Sequence, residues 1–183
     1  LAPAGTLNRD AYGPGFFPPI APEANVARNL KSPYPKNLKD GPENHRRTIY
    51  MFHKRIVPFP LLQAFDAPDA QQSCGQRIDT TVAPQALVIL NDAFVRLRAE
   101  EFAGRLMKEA GEKPDQWADQ GFAIALGRAP RESEREAAIA FINGQIEQRA
   151  ARDSKVPAQE IRRQALADFC QALFALNEFI YVE

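Results

Sequence analysis

The chain has 183 residues, 45% of them hydrophobic, and its 23 Lys and Arg residues equal its 23 Asp and Glu residues in number. This length suits one domain, or one domain with a long appendage, and allows a substantial core. The zero net charge argues against a nucleic-acid-binding protein, because such proteins carry excess cationic side chains that neutralise phosphates. No apolar run reaches the roughly 20 residues that span a bilayer as a helix.

Residues 1–45 are predicted to form irregular, extended structure. Eleven of the 15 prolines precede residue 70, and proline has no amide hydrogen to give to a helix or sheet. Large apolar residues in the segment argue against disorder; they are Phe16, Phe17, Ile20 and Tyr34. We therefore expect an extended segment at 1–45 that packs on a helical domain at 46–183 or on a partner. The start lacks a methionine and a signal-peptide layout, which is typical of a processed chain or a piece of a longer one.

Residues 48–57, TIYMFHKRIV, fit two structures. Their β-branched and aromatic side chains favour a strand. The spacing of some of them would also line one side of a helix; these are Ile49, Phe52, His53 and Ile56. We favour a segment packed beside helices over a strand in a sheet.

From Pro84 onward, apolar residues recur at the spacing of α-helices. Breaks are predicted at Asn91 or Asp92, at Gly111, at Gly127 and before Pro157. The predicted core stripes are Val95, Ala99, Phe102 and Leu106; Trp117, Phe122 and Leu126; Ala138, Ile142 and Ile146; and Ile161, Ala165, Phe169, Ala172, Leu173 and Leu176. The closing NEFIYVE is rich in β-prone residues and could add a short strand. The predicted fold is mainly α, a bundle of about four to five helices carrying the proline-rich segment, with little or no sheet.

Four arginines in the middle of the chain are candidates for an anion site or a structural network: Arg46, Arg47, Arg55 and Arg77. Guanidinium groups bind carboxylate, sulfate or phosphate through paired hydrogen bonds. Alternatively, they pair with nearby aspartates, which are Asp66, Asp69 and Asp79. We favour this second interpretation, in which the cluster is a latch between the extended segment and the helices. Irregular backbone leaves amides and carbonyls without regular partners, and such side chains can supply them.

Asp66 and Asp69, in the stretch FDAPD, could act as an acid–base pair or bind a hard cation. The same pattern is typical of a turn in which aspartate caps backbone amides, and we favour the turn. His45 and His53 have no third partner at the spacing of a metal site. We therefore expect exposed or hydrogen-bonded histidines, and no metal site.

Cys74 and Cys170 leave three possibilities open. They could pair as a disulfide, remain buried thiols, or leave Cys74 reactive beside Arg77. The chain has no CxxCH, so covalent c-type haem attachment within it is not expected. We expect no cofactor in this chain.

Five separated stretches, in this order, carry a family resemblance: GPGFFPPI, RRTIYMFHKR, AFDAPD, SCGQRIDTTVAPQALVILND and DFCQALFALNEFIYVE. With them the chain resembles the C-terminal domain of unknown function of the planctomycete-type cytochrome-c-associated extracytoplasmic proteins. Two residues depart from the pattern. His53 replaces an apolar or aromatic residue, and Arg131 stands where Ser or Thr would form a capping box with Glu134.

The resemblance implies that the chain is the C-terminal portion of a longer extracytoplasmic polypeptide. It implies haem in an upstream domain of the full-length protein, and none in this chain. It also implies that the partners are the rest of the same polypeptide or other subunits. It assigns no catalytic residues.

Two functional hypotheses follow. The first is a non-catalytic structural or interaction module at the C-terminus of a larger redox protein, and we favour it. The second is part of an active site that binds an anionic or carbohydrate-like substrate through the arginine-rich region 46–77. A pocket where these polar groups converge without pairing with each other would favour the second.

Overall fold

The structure is a computed structural model that describes residues 1–19, 35, 38–54, 59–68, 75 and 83–181. The described residues are mainly helical and contain only isolated β-bridges, which confirms the predicted fold class. The chain divides into two compact units. The helical unit contains Leu1–Gly5 and Ile89–Glu183, and the front unit contains Thr6–Val88. The predicted division between 1–45 and 46–183 stays a prediction.

Seven α-helices lie in the described residues. They are α1 (Pro60–Ala64), α2 (Ala83–Asn91), α3 (Ala93–Glu109), α4 (Pro114–Leu126), α5 (Glu132–Arg152), α6 (Ala158–Phe174) and α7 (Asn177–Ile180), and a 3-10 turn covers Thr48–Tyr50.

The ends of α3 and α4 follow local sequence signals. Asp92 caps α3, and its Oδ1 accepts hydrogen bonds from the amides of Phe94 and Val95 at 2.8 and 3.2 Å. Gly127 ends α4 with φ 71°, a left-handed conformation that glycine adopts without a steric penalty. The predicted breaks at these positions are confirmed.

The turn between α3 and α4 is held by the indole of Trp117. Its Nε1 donates to the carbonyl oxygen of Gly111 at 2.8 Å, and the side chain is only 1% exposed. Gly111 has φ 89°, so this turn needs a residue without a Cβ. The core role predicted for Trp117 is confirmed.

Helix α6 is the centre of the helical unit. It packs most extensively on α3 and also contacts α4, α5 and α7. Its buried residues are Ile161, Ala165, Leu166, Ala167, Phe169, Cys170, Gln171, Leu173 and Phe174. The predicted stripe was wrong at two positions, because Ala172 and Leu176 are exposed. A helix with neighbours on several sides buries more than one stripe, so spacing alone misplaces its edge.

Helices α4 and α6 approach closely at Gly121. A Cβ at this position would lie 2.9 Å from Cε1 of Phe169 and 3.3 Å from Cδ1 of Leu173. The rings of Phe122 and Phe169 pack beside this point with centroids 6.4 Å apart. The missing side chain therefore sets the distance between the two helices.

The C-terminal residues correct a prediction. The short strand proposed for NEFIYVE is wrong, because Asn177–Ile180 form α7. The ring of Phe179 packs on that of Phe174, with centroids 4.9 Å apart. Strand preference reflects packing context more than backbone preference, so a tertiary contact of this kind overrides it.

In the front unit, residues 8–16 run parallel to residues 46–51 through isolated bridges. Asn8 pairs with Arg46, and Phe16 pairs with Met51. The amide of Phe16 donates to the carbonyl of Tyr50 at 2.9 Å, and the amide of Phe52 donates to the carbonyl of Phe16 at 2.8 Å. Residues 48–54 therefore form a 3-10 turn followed by extended backbone, and neither a longer helix nor a sheet strand.

Candidate functional site

Arg46 and Tyr50 form a polar clamp on the irregular segment of the front unit. Nη1 of Arg46 donates to the carbonyl of Pro14 at 2.7 Å, and Nη2 donates to the carbonyl of Tyr12. The Arg46 guanidinium lies over the Tyr50 ring, 4.2 Å from its centroid, in a cation–π contact. We call these two side chains the Arg46–Tyr50 clamp.

The clamp holds Tyr12 in an unusual backbone conformation. Tyr12 has φ 68°, which is uncommon for a residue other than glycine. Its amide donates to Oη of Tyr50 at 3.0 Å, while its carbonyl accepts from Arg46. Both backbone polar groups of this strained residue are therefore satisfied by the clamp, and its ring is 85% exposed.

Arg47 differs from Arg46, although it is adjacent. It is exposed, and its bond within the described residues is a long one of 3.4 Å from Nη2 to Oη of Tyr50. The amide of Tyr12 lowers the pKa of the Tyr50 phenol, because it donates to the phenol oxygen, and the bond from Arg47 adds to the effect. The guanidinium carbon of Arg47 also lies 5.6 Å from the centroid of the Tyr50 ring. The two arginines therefore have different environments: Arg46 binds backbone carbonyls, whereas Arg47 is exposed and contacts the Tyr50 side chain at longer distance.

His45 of the front unit is buried and hydrogen-bonded. His45 is 7% exposed, and its Nε2 lies 2.9 Å from Oδ1 of Asp40. Its carbonyl accepts from the amide of Asn8 at 2.9 Å, and Nδ2 of Asn8 donates to the carbonyl of Pro42 at 3.2 Å. His45 thus helps to hold the two parallel segments together. Its burial was not expected from the sequence, whereas its hydrogen bonding was.

The remaining predicted site residues are only partly described. Asp66 lies in a turn after α1, with φ 54°, as the FDAPD pattern predicts. Cys170 is buried in α6, and desolvation raises the pKa of its thiol well above the usual range. His53 is exposed. Five predicted residues lie outside the described part of the chain: Arg55, Asp69, Cys74, Arg77 and Asp79. The arginine–aspartate pairs therefore stay predictions. Cys170 is a free thiol in this structure, which contradicts the disulfide and agrees with the buried-thiol alternative.

A polar network inside the helical unit was not found from the sequence. Asp168 of α6 accepts from Nη1 of Arg96 at 2.7 Å and from Nη2 of Arg149 at 2.5 Å, so it joins α3, α5 and α6. Its side chain is only 19% exposed. Gln171 accepts from Arg96 and donates to the carbonyl of Leu90 at 2.9 Å, at the end of α2. The sequence does contain a signal for this network, because Asp168 and Gln171 are polar residues next to the apolar stripe of α6.

Arg98 of α3 is a further polar residue at a buried position of its helix. It is 2% exposed and pairs with Glu101, with Nη1 3.2 Å from Oε2. Its guanidinium carbon also lies 5.2 Å from the centroid of the Phe94 ring. The sequence interpretation omitted it because arginine is almost never fully buried unless it is paired.

Arg128 joins the α4–α5 loop to α7. It binds Glu134 at 2.8 and 2.9 Å and Glu178 at 2.6 and 2.7 Å. The bonds from Arg128 to Glu134 lower the pKa of Glu134 to about 2, with a further contribution from the Arg131 amide, which donates to Glu134 at 2.7 Å. This bond from the Arg131 amide to Glu134 is one half of a capping box. The other half is missing because an arginine side chain has no atom that can accept a hydrogen bond from a backbone amide.

A groove of about 610 Å³ opens between α3 and α6. Its lining residues are Gly104, Met107, Lys108, Pro157, Gln159, Glu160 and Arg163. Glu160 accepts from Arg163 at 2.8 and 2.7 Å and from Gln164 at 2.8 Å, and the bonds from Arg163 contribute most to lowering its pKa to about 2. Sequence reasoning did not identify this groove, because it depends on how two distant helices pack.

The part of the chain that the structure describes has neither a metal-binding cluster nor a helix that could span a membrane. No three His, Cys, Asp or Glu side chains lie close enough together there to hold a metal ion. Within the same residues, no helix has both the length and the apolar character needed to cross a membrane.

Comparison with known families matches residues 1–142 to the family described as PSD1: Protein of unknown function (DUF1553). The matched range includes the clamp, the helices α1 to α4 and the first half of α5. No curated protein and no solved structure matches the chain. Because the match covers 142 of the 183 residues, the chain belongs to the PSD1 family.

Proposed function

We propose that this chain is a non-catalytic structural and interaction module at the C-terminus of a larger extracytoplasmic redox protein. The observation that carries the proposal is the environment of Arg46. Both of its terminal nitrogens donate to backbone carbonyls of the irregular segment, and its guanidinium stacks on Tyr50. A side chain engaged in this way orders backbone, and its charge is not directed at a ligand.

A second arginine supports the same role in the helical unit. Nη1 of Arg105, on α3, donates to the carbonyl of Pro3 at 3.0 Å. Ala4 next to it is 7% exposed, so the first residues pack on the helices. Arg46 and Arg105 therefore act alike, because each binds a carbonyl in a segment where proline removes the amides that regular structure would use.

The place of the module in a larger protein is supported by the five stretches that resemble the cytochrome-c-associated proteins. On that basis, the proposal assigns c-type haem to an upstream domain and no cofactor to this chain. The partners are the rest of the same polypeptide or other subunits. Neither nucleic acid nor a membrane span has a part in the proposal.

The test uses two adjacent arginines that differ in environment. Arg46→Ala is expected to lower the free energy of unfolding by about 2 kcal/mol, because it removes two charge-assisted hydrogen bonds. Arg47→Ala is expected to change it by less than about 0.5 kcal/mol, as for most exposed side chains. Urea denaturation followed by circular dichroism measures both values. Tyr50→Phe, which keeps the ring but removes the acceptor of the Tyr12 amide, should cost about 1 kcal/mol.

The same two variants test the alternative, an anionic or carbohydrate-like substrate at the arginine-rich region. Sulfate, phosphate and glucuronate are titrated into the wild-type chain by isothermal calorimetry. The structural module predicts no saturable binding that either variant removes. Binding that Arg47→Ala abolishes while the fold stays intact would reject the module and support the active site.

A further inference from the structure

The groove between α3 and α6 contains a glycine in the interior of a helix. Gly104 lies inside the 17-residue helix α3, where glycine costs roughly 1 kcal/mol relative to alanine. A Cβ at Gly104 would meet no atom of the described residues within 4 Å. Its backbone is helical, so no special φ requires glycine here. The missing side chain leaves part of the groove open, and a bound molecule could use that space.

The charges that line the groove are unequally engaged. Glu160 is neutralised by Arg163, which binds both of its oxygens. Lys108 is exposed and forms no ion pair with the described residues. The groove therefore presents one unneutralised ammonium beside the apolar surfaces of Met107 and Pro157. Apolar and charged side chains therefore lie side by side in the lining, as an amphipathic ligand requires, and the volume of about 610 Å³ is within the usual range of small-molecule sites.

We propose that this groove binds a small amphipathic anion. The apolar body of the ligand lies over Gly104 and contacts Met107, and its carboxylate or other oxyanion head pairs with Lys108. The Arg163–Glu160 pair borders the site and fixes the first turn of α6 without competing for the head. This binding role is separate from the structural role of the Arg46–Tyr50 clamp, which belongs to the front unit.

The experiment compares two probes with the same tail and opposite charge, decanoate and decylammonium, by isothermal titration calorimetry. The wild-type chain should bind decanoate about tenfold more tightly than decylammonium, because the unneutralised charge is positive. Added salt should reduce this preference.

Three variants locate the site. Gly104→Leu fills the groove and should weaken decanoate binding by about tenfold or more, while helicity is kept because leucine is a good helix former. Lys108→Gln should bring the two probes to within about twofold of each other. Gly144→Leu is the matched control, because Gly144 also lies inside a helix with open space around it, but outside the groove. It should bind like the wild type.

Three results would overturn the proposal. One is the absence of saturable decanoate binding at millimolar concentration. Another is binding that Gly104→Leu leaves unchanged or that Gly144→Leu weakens equally. The third is a dimer in analytical ultracentrifugation that Gly104→Leu dissociates, since the groove would then be occupied by a second copy of the chain.

Discussion

The helical unit and the front unit are each stabilised internally by a different kind of contact. In the helical unit, four helices surround or contact α6, and apolar residues such as Phe102 and Leu166 are fully buried. In the front unit, the described residues are joined by single hydrogen bonds, some between backbone groups, as at Phe16, and some from side chains to backbone carbonyls, as at Arg46 and Asn8. The first arrangement distributes its stability over many weak contacts, whereas the second depends on a few directional ones.

The largest expected effect is in the helical core. Phe102→Ala should lower the free energy of unfolding by about 3–5 kcal/mol, because the ring is fully buried and stacks on Phe174 at 5.8 Å. Phe17→Ala in the front unit is the counterpart, since that half-buried ring packs on Phe52 at 4.6 Å. It should cost about 1–2 kcal/mol. If urea denaturation shows the same loss of unfolding free energy for both variants, the two units do not differ in how much a buried ring stabilises them.

The interhelical network should give the next largest effect. Asp168→Ala removes the carboxylate that Arg149 shares with Arg96, leaves Arg96 with Glu100, and should cost about 2–3 kcal/mol. Asp119→Ala is the control, because Asp119 pairs with Arg135 at 2.8 Å but is 49% exposed. Its loss should cost under about 1 kcal/mol. If the two variants unfold at the same urea concentration, the half-buried network adds nothing beyond a surface pair.

Two helix glycines should respond in opposite directions to the same change. Gly121→Ala should cost about 1–2 kcal/mol, because the new methyl group would lie 2.9 Å from Phe169. Gly144→Ala should stabilise the helical unit by up to about 1 kcal/mol, because the space is open and alanine favours the helix. Thermal unfolding measures both. A stabilising Gly121→Ala would show that α4 and α6 are not in close contact there.

The smallest effect concerns pH. The pKa of Glu134 falls from 4.5 to about 2, chiefly because Arg128 donates to its carboxylate. A lowered carboxylate pKa stabilises the fold fully above about pH 4.5, and this contribution disappears as the pH falls toward 2. Arg128→Gln should therefore unfold with a weaker pH dependence between pH 5 and 2.5 than the wild type. An unchanged pH dependence would assign the acid sensitivity to other carboxylates, such as Glu160.

The helices were predictable because their signals are local. Spacing placed Val95, Ala99, Phe102 and Leu106 in the core, and Asp92 and Gly127 at helix ends. The spacing of apolar residues does not predict which side chains meet between helices that are far apart in the sequence. Asp168 lies 72 residues from Arg96, and the pairing depends on the packing of α6 against α3. The same is true of α7, whose conformation follows from the contact of Phe179 with Phe174.

The Arg46–Tyr50 clamp shows a different limit of prediction from sequence. The sequence marks Arg46 as a candidate donor and suggests carboxylates as its partners. Its partners in the structure are the carbonyls of Tyr12 and Pro14, which are 34 and 32 residues away. Every residue has a carbonyl, so no pattern of residue types identifies which one an arginine will bind. Side-chain-to-backbone bonds are therefore harder to predict than ion pairs.

The position of Trp117 has a practical consequence. It is the only tryptophan in the sequence, it lies in the helical unit, and it is 1% exposed. Its emission spectrum should therefore shift to longer wavelength when the helical unit opens around Trp117. Tryptophan fluorescence offers an intrinsic reporter for one unit of this protein, which requires no added label.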